Sequence, residues 1–525
     1  MGTRLFGLET EYGFSAFDPD GNRLEGGWAA GQLMRLARTT LTCLPAHSSG
    51  VFLGSGARFM IDVGDHPEWS TPECTCPGEG VRYARAGDRI VERLASELVA
   101  TEPRIGRIVV TRCNVDYASG STFGAHESYL HRGDPAVFPH EIIPHFVSRL
   151  VYTGAGGFDT GSNGGAFLLS PRVAHLVAER SRHSTSERGI FHEKDESLAG
   201  GGYHRLHVLC GESTSAPLTG WLKLGVTALV VALIEAGGRP GRAVRLVAPV
   251  EAMRTIAADP TCRVAVALHD GRTLSALEIQ RHYLKQVEAN LGAAFMPTWA
   301  AEVCRAWRTT LDDLERGPEA VATRLDWAIK WMLVRRHAER RGFAWETMRH
   351  WTELADELAE AVARSGYPGE SVTAEEALRL TRRPVPEAVA RLTARLADLG
   401  LAWPGLRPFL DLRQELYEID TRFAQLGPDG IFARLERAGL LDRDGPTIGD
   451  VAVALDTPPA RGRARLRGEA VQALARRRPL STAEWSAVWD RRRRRTLDLH
   501  DPFVEVAAWN PWPPDAEEEP PWLSL

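Results

Sequence analysis

Two glutamates one residue apart, in Gly7-Leu8-Glu9-Thr10-Glu11-Tyr12-Gly13, most constrain how this chain can fold. In a strand, alternate side chains share a face, so Glu9 and Glu11 line one surface of a sheet. A second stretch, Gly56-Ala57-Arg58-Phe59-Met60-Ile61-Asp62-Val63-Gly64-Asp65-His66-Pro67-Glu68, again puts Arg58, Met60 and Asp62 on one face and ends on a further carboxylate. Hard cations such as Mg²⁺ take oxygen ligands and share them with phosphates, and a guanidinium fork suits phosphate. Carboxylates and an arginine gathered on strands predict a metal–nucleotide site. Near a metal, Asp62 can serve as a general base; its structural alternatives are to begin the turn before Gly64 or to pair with Arg58.

At 525 residues the chain is long enough for two or more domains, and 44 % hydrophobic content is ordinary for a globular protein. No apolar run reads as long enough to span a bilayer, and Glu9 and Glu11 interrupt any signal-peptide pattern. A cytoplasmic protein is expected, with no membrane partner. Seven cysteines, an odd number, argue against a disulfide framework. Cys74 and Cys76 are the only close pair and lack the second pair of a zinc set, so the cysteines read as reduced thiols. A net charge of −5 gives the whole chain no attraction for nucleic acid.

Charge is nonetheless uneven. Arg461, Arg463, Arg465, Arg467, Arg476, Arg477, Arg478 and the run Arg491 to Arg495 meet few acids, and the chain then turns acidic and proline-rich from Asn510 to Glu519. The basic segment reads either as a solvated face or as a docking surface for an acidic partner.

Residues 1 to about 270 mix short strands, such as Arg107 to Thr111, with amphipathic helices at Trp28 to Leu41 and Tyr83 to Leu98. Leu222 to Ala236 reads as a buried core helix stopped by Gly237-Gly238. The glycine-rich loops at Gly154 to Gly157 and Gly200 to Gly202 lack a P-loop's lysine and read as mobile hinges or lids. From about 275 to 440 the pattern is helical, with an Ala-, Glu-, Leu- and Arg-rich stretch at 345–410. The expected organisation is α+β: a main domain over 1–440, a small C-terminal domain over 441–505, and a tail over 506–525.

Taken in order, Gly7 to Gly13, Val51 to Cys74, Asn114-Val115-Asp116, Gly124 to Tyr129, Tyr203 to Val208, Trp221 to Gly225, Glu278 to Arg281, Pro458 to Glu469 and Asp501-Pro502-Phe503 resemble the Pup ligase and depupylase family. The resemblance spans the chain except for 345–410, which reads as a helical insertion. It implies a glutamine synthetase-like fold: a curved antiparallel sheet with packed helices, plus the small C-terminal domain. It further implies Glu9 and Glu68 as magnesium ligands, with Glu11, His126 and His207 able to complete the metal shell. Arg58, Thr71 and Trp485 match ATP contacts, and Asp62 matches the catalytic base.

The implied reaction is ATP-dependent. The C-terminal glutamate side chain of Pup, a small acidic protein, is phosphorylated, and the acyl phosphate is attacked by a substrate lysine. The product is marked for a bacterial proteasome. The arginine-rich C-terminal segment would form part of the groove for Pup. Depupylases of the family carry a long loop between the first helix and the Gly-Ala-Arg strand. Here the link Thr42 to Gly50 is short, which favours the ligase branch over a depupylase- or deamidase-like hydrolase or a non-catalytic Pup-binding protein. Three positions depart from the family pattern. Met60 stands in place of a tyrosine associated with magnesium, Lys194 to Leu198 lacks an expected arginine and histidine, and Cys113 replaces an asparagine.

Overall fold

The computed structural model of the protein describes residues 3–161, 165–181, 187–193, 199, 202–364, 394, 397–398, 403–442, 446–476 and 481–512. Its centre is a nine-stranded sheet. From one edge to the other the strands are Ala178–Ser181, Gly189–Glu193, His204–Val208, Glu127–His131, Phe6–Glu11, His66–Ser70, Arg58–Asp62, Val51–Leu53 and Cys43–Pro45. The first two run parallel and every later neighbour is antiparallel. The glutamate-bearing strand therefore lies mid-sheet, between His66–Ser70 and Glu127–His131. Next to it, Gly13–Phe17 pairs with the expected strand Arg107–Thr111. Gly13 is required there, because a Cβ would come within 2.6 Å of Thr111 Oγ1.

One layer of helices covers the sheet. Gly26–Thr40 and Pro77–Thr101 bury the apolar stripes that their spacing foretold, the second starting earlier than expected on Pro77, a residue favoured in the first helical turn. Pro217–Glu235 likewise begins before Leu222 and is buried from Thr219 to Ile234. This corrects one expectation: at 19 residues the helix is long and apolar enough to cross a membrane by length and composition, yet 89 % of its apolar window is buried inside the protein. Its surroundings, rather than its length, make it a core helix. Gly237, at φ +91°, ends it.

The helical section includes Ala276–Glu288, Ala300–Arg316, Asp326–Arg340, Met348–Arg364 and Trp403–Phe423. Met348–Arg364 and the first turns of Trp403–Phe423 fall in the stretch read as an insertion, but Met348, Trp351, Leu406 and Phe409 join the same apolar core as the helices on the sheet. Trp351 and Phe409 stack at 6.0 Å. The Gly154–Gly157 loop also differs from expectation. It is buried rather than mobile, since a Cβ on Gly154 would lie 2.2 Å from the Leu169 carbonyl. The loop Lys194 to Leu198, and Gly200 and Gly201, lie outside the described residues.

The C-terminal unit packs the helix Gly462–Ala475 on a four-stranded sheet of Ser481–Ala483, Ala487–Asp490, Arg495–Asp498 and Trp509–Pro511. The last strand lies in the stretch expected to belong to the tail. The core of this unit borrows Leu44 and Phe52 from the edge of the main sheet. Its position beside the nine-stranded sheet is thus held by shared apolar burial.

Candidate active site

Register decides which polar side chains meet. Glu11 lies opposite Glu68, and Glu68 opposite Met60; one step along, Glu9 faces Ser70 and Ser70 faces Arg58. Asp62, the last residue of its strand, lies opposite His66 across a tight turn whose Gly64 and Asp65 have positive φ. Both sequence alternatives for Asp62 are thereby addressed. It does precede the turn, and Arg58 turns elsewhere, donating from Nη2 to Ser48 Oγ at 3.0 Å and the Ser49 carbonyl at 2.9 Å.

The residues expected to form one metal shell divide between two groups, each with ligand atoms within 4.8 Å of one another: Glu9, His126 and His207, and Glu11 and Glu68 together with Asp62, the expected base. Their electrostatics differ. In the first group Glu9 accepts a hydrogen bond from Arg205 Nη2 at 3.0 Å, lies 3.4 Å from His126 Nδ1 and 4.0 Å from His207 Nε2. Burial pushes Glu9 up, but His207, His126 and the permanently charged Arg205 outweigh it and hold its carboxyl well below the usual range. His207 itself is held down by burial against the pull of Glu9.

In the second group, burial and then the charges of Glu9, Glu11 and Asp62 push Glu68 well above the carboxylate range, with Arg58 only partly opposing them. Glu11 goes the other way. Burial is outweighed by His66 Nδ1 at 3.3 Å and by the Gly124 N–H at 2.7 Å. A buried carboxylate facing like charges calls for a cation, and an all-oxygen donor set fits Mg²⁺. The Glu9 group differs in carrying imidazole nitrogens and in being partly balanced by Arg205.

A cleft opens beside Glu9 and is lined by Thr71, Ser128, Arg205, Arg463 and Trp485. Two of the three expected nucleotide contacts, Thr71 and Trp485, thus share one cavity, while Arg58 stands two strands from Glu9 on the neighbouring part of the face. Thr71 Oγ1 also accepts from the Leu8 N–H at 3.0 Å, tying the cavity wall to the glutamate strand. Trp485 is fixed edge-on to Phe52 at 5.1 Å, with the Arg467 guanidinium 4.7 Å from its ring.

Four residues around the site carry no signal of their own in the sequence: Arg205, Glu73, Ser48 and Ser49. Arg205 donates to Ser128 Oγ at 3.0 Å and lies 2.8 Å from His207 Nδ1, besides holding Glu9. Its place in the quoted Tyr203–Val208 motif, two residues before His207, was the available signal. Glu73 pairs with Arg463 and Arg467. Ser48 and Ser49 sit in the hairpin between Cys43–Pro45 and Val51–Leu53, and only the fold brings them to Arg58. The basic segment also splits: Arg463 and Arg467 are buried, whereas Arg492, Arg493 and Arg494 are exposed.

The family model for Pup-ligase protein matches residues 4–391 and 409–489. The chain belongs to the Pup ligase family. This corrects the reading of 345–410 as an insertion outside the family: the match runs on through 345–391 and breaks only between 391 and 409. A Pup–protein ligase of Sanguibacter keddieii is 32 % identical over 520 residues, covering 96 % of this chain and 97 % of that protein. A Pup deamidase/depupylase of Mycobacterium tuberculosis is 37 % identical over 318 residues, covering 58 % of this chain and 62 % of that one. Among solved structures, the complex between Pup and its ligase PafA aligns with a TM-score of 0.72 at 26 % identity, covering 96 % of this chain and 90 % of that one. The ADP complex of the Pup ligase PafA aligns at 0.66, again at 26 % identity, covering 91 % and 90 %. This Pup ligase family member therefore has the α+β fold and small C-terminal domain expected from its sequence.

Proposed function

We propose that this protein is an ATP-dependent ligase that joins the C-terminal glutamate side chain of Pup to substrate lysines in the cytoplasm. The observation that carries the reading is the adjacency, on one sheet face, of the Thr71–Trp485 cleft and the Glu11–Asp62–Glu68 group. The near full-length match to a Pup–protein ligase and the likeness to Pup- and ADP-bound PafA support it.

In this reading Trp485 and Thr71 hold the nucleotide, and Arg58 faces the transferring phosphoryl group. Glu68, Glu11 and Glu9 would hold Mg²⁺, which supplies charge neutralisation at the phosphates. Phosphoryl transfer then depends on positioning and fixed charge. A lysine ammonium is a poor nucleophile. Asp62, at the partly exposed end of its strand, takes the amine's proton as the acyl phosphate is attacked. Met60 contributes no ligand, since a thioether is too soft for so hard a cation.

The test is intact-mass spectrometry of an acceptor protein incubated with this enzyme, Mg-ATP and Pup ending in glutamate, with ADP followed alongside. A lysine-linked mass gain matched by ADP is expected, reduced about 10²- to 10⁴-fold in Asp62→Ala. No adduct and no ADP would overturn the assignment.

The 37 % identity to a depupylase sustains one other reading, hydrolysis of the same isopeptide bond. Against it stands the link after the first helix, where Ala46 N–H reaches the Gly50 carbonyl at 3.2 Å and closes a short hairpin with no room for a long loop. Release of Pup from a conjugate without stoichiometric ADP would favour the hydrolase.

A further inference from the structure

The exposed arginines and the acidic end of the chain lie apart in the sequence; the C-terminal sheet carries the last described residues toward the arginines. Strand Trp509–Pro511 runs antiparallel to Arg495–Asp498, with Leu497 opposite Trp509, Thr496 opposite Asn510 and Arg495 opposite Pro511. The chain is therefore heading toward the turn at Arg491–Arg493 when it leaves the described residues. Trp512 donates its N–H to the Arg494 carbonyl at 2.9 Å, and the Arg494 guanidinium lies 5.6 Å from its ring.

That turn is rich in uncompensated charge. Asp490, the nearest carboxylate in sequence, is buried and already accepts from the Arg493 N–H at 3.3 Å and from Arg495 Nε at 3.0 Å. Among the described residues no ion pair involves Arg491, Arg492, Arg493 or Arg494, and Arg491 Nε and Trp512 Nε1 have no hydrogen-bond acceptor. The sequence continues Pro513-Pro514-Asp515-Ala516-Glu517-Glu518-Glu519, four carboxylates against four guanidiniums. Asp515 lies three residues beyond Trp512 and Glu519 seven, spans of at most about 11 Å and about 25 Å. A short tether gives an effective concentration of order millimolar, so weak ion pairs suffice to occupy the face part of the time.

We propose that the acidic segment Asp515–Glu519 docks on the Arg491–Arg494 face of its own C-terminal domain and competes there with an acidic partner protein. The docking stands on the register and the charges alone. The competition rests on the reading of Pup as that partner.

The full-length protein and full-length Asp515→Asn/Glu517→Gln/Glu518→Gln/Glu519→Gln are compared in two measurements. The first is labelling of arginines by phenylglyoxal, located by mass spectrometry. Arg492 to Arg494 are expected to label about two- to fivefold faster in the variant, and the wild type to match it in high salt. The second is anisotropy of labelled Pup, whose Kd is expected to fall by a similar factor in the variant. Equal labelling of the two proteins overturns the docking whether or not Pup binds. Protection that grows with protein concentration overturns it in favour of a second copy. Faster labelling with an unchanged Kd for bound Pup overturns the competition. A protein that fails to bind Pup at all overturns the ligase reading and leaves the labelling result intact.

Discussion

Glu68 and Glu73 are close neighbours in the chain and both largely buried, yet their surroundings are opposite. Around Glu73 burial is outweighed by Arg467 and Arg463, which hold its carboxyl down to about 2. Around Glu68 burial is reinforced by Glu9, Glu11 and Asp62, and the group is pushed up. The first is a clamp: Arg467 also donates to the Gly56 carbonyl at 2.9 Å and the Trp485 carbonyl at 3.0 Å, fastening the C-terminal domain to the sheet. The second is a cluster of acids whose charge the chain offsets only in part, through Arg58, and it is the proposed seat for Mg²⁺. A buried carboxylate is structural or functional according to whether the fold supplies its counter-charge.

The largest effect that could break this comparison is at the clamp. Glu73→Ala leaves two buried guanidiniums without their carboxylate and is expected to cost about 3–5 kcal/mol, read as a fall in the midpoint of urea unfolding. A change below about 1 kcal/mol would mean that Arg463 and Arg467 find other partners.

At the seat the sign reverses. Mg²⁺ is expected to raise the Tm of the wild type, by up to about 2.7 kcal/mol of stabilisation at roughly a hundredfold excess over its Kd, and to leave Glu68→Gln nearly unmoved. Calorimetric scans with and without the ion check this. In the absence of Mg²⁺, Glu68→Gln is expected to be as stable as the wild type or slightly more so, because it removes a repelling charge, while its ligation rate falls.

The smallest effect is on pH dependence. Glu73, depressed from an ordinary 4.5 to about 2, contributes stability that is complete above 4.5 and lost as pH falls through that window. Glu68 is raised, so its contribution is most favourable at low pH and falls as pH rises from the ordinary carboxylate value through its elevated one. Comparing acid titrations of stability for Glu73→Gln and Glu68→Gln with the wild type should show slope changes of opposite sign; the same sign for both would refute the contrast.

Much of the site was legible because strand parity is a local rule. Glu9 and Glu11, and Arg58, Met60 and Asp62, occupy the strands and faces that alternation gave them. The ordered motifs then carried the family. What parity could not reveal is cross-strand register, which sets Glu68 between Glu11 and Met60 and so separates the acid group from Glu9 and its histidines. Nor could composition distinguish the buried arginines at 463 and 467 from the exposed ones after Asp490, since helix and turn carry the same residue type. Pro217–Glu235 makes the same point for apolar residues: its composition suits lipid or a protein core, and its neighbours decide.

By itself, then, the sequence determined the chemistry available: which strands carry carboxylates, which helices carry apolar stripes, and which family these belong to. Those are properties of spacing along one element. Only the tertiary structure decided the charge state and task of each group, because Coulomb energy depends on distance and burial across elements. Arg467 and Glu73 are far apart in sequence and meet in space, while Glu68 and Glu73 are near in sequence and live in opposite fields.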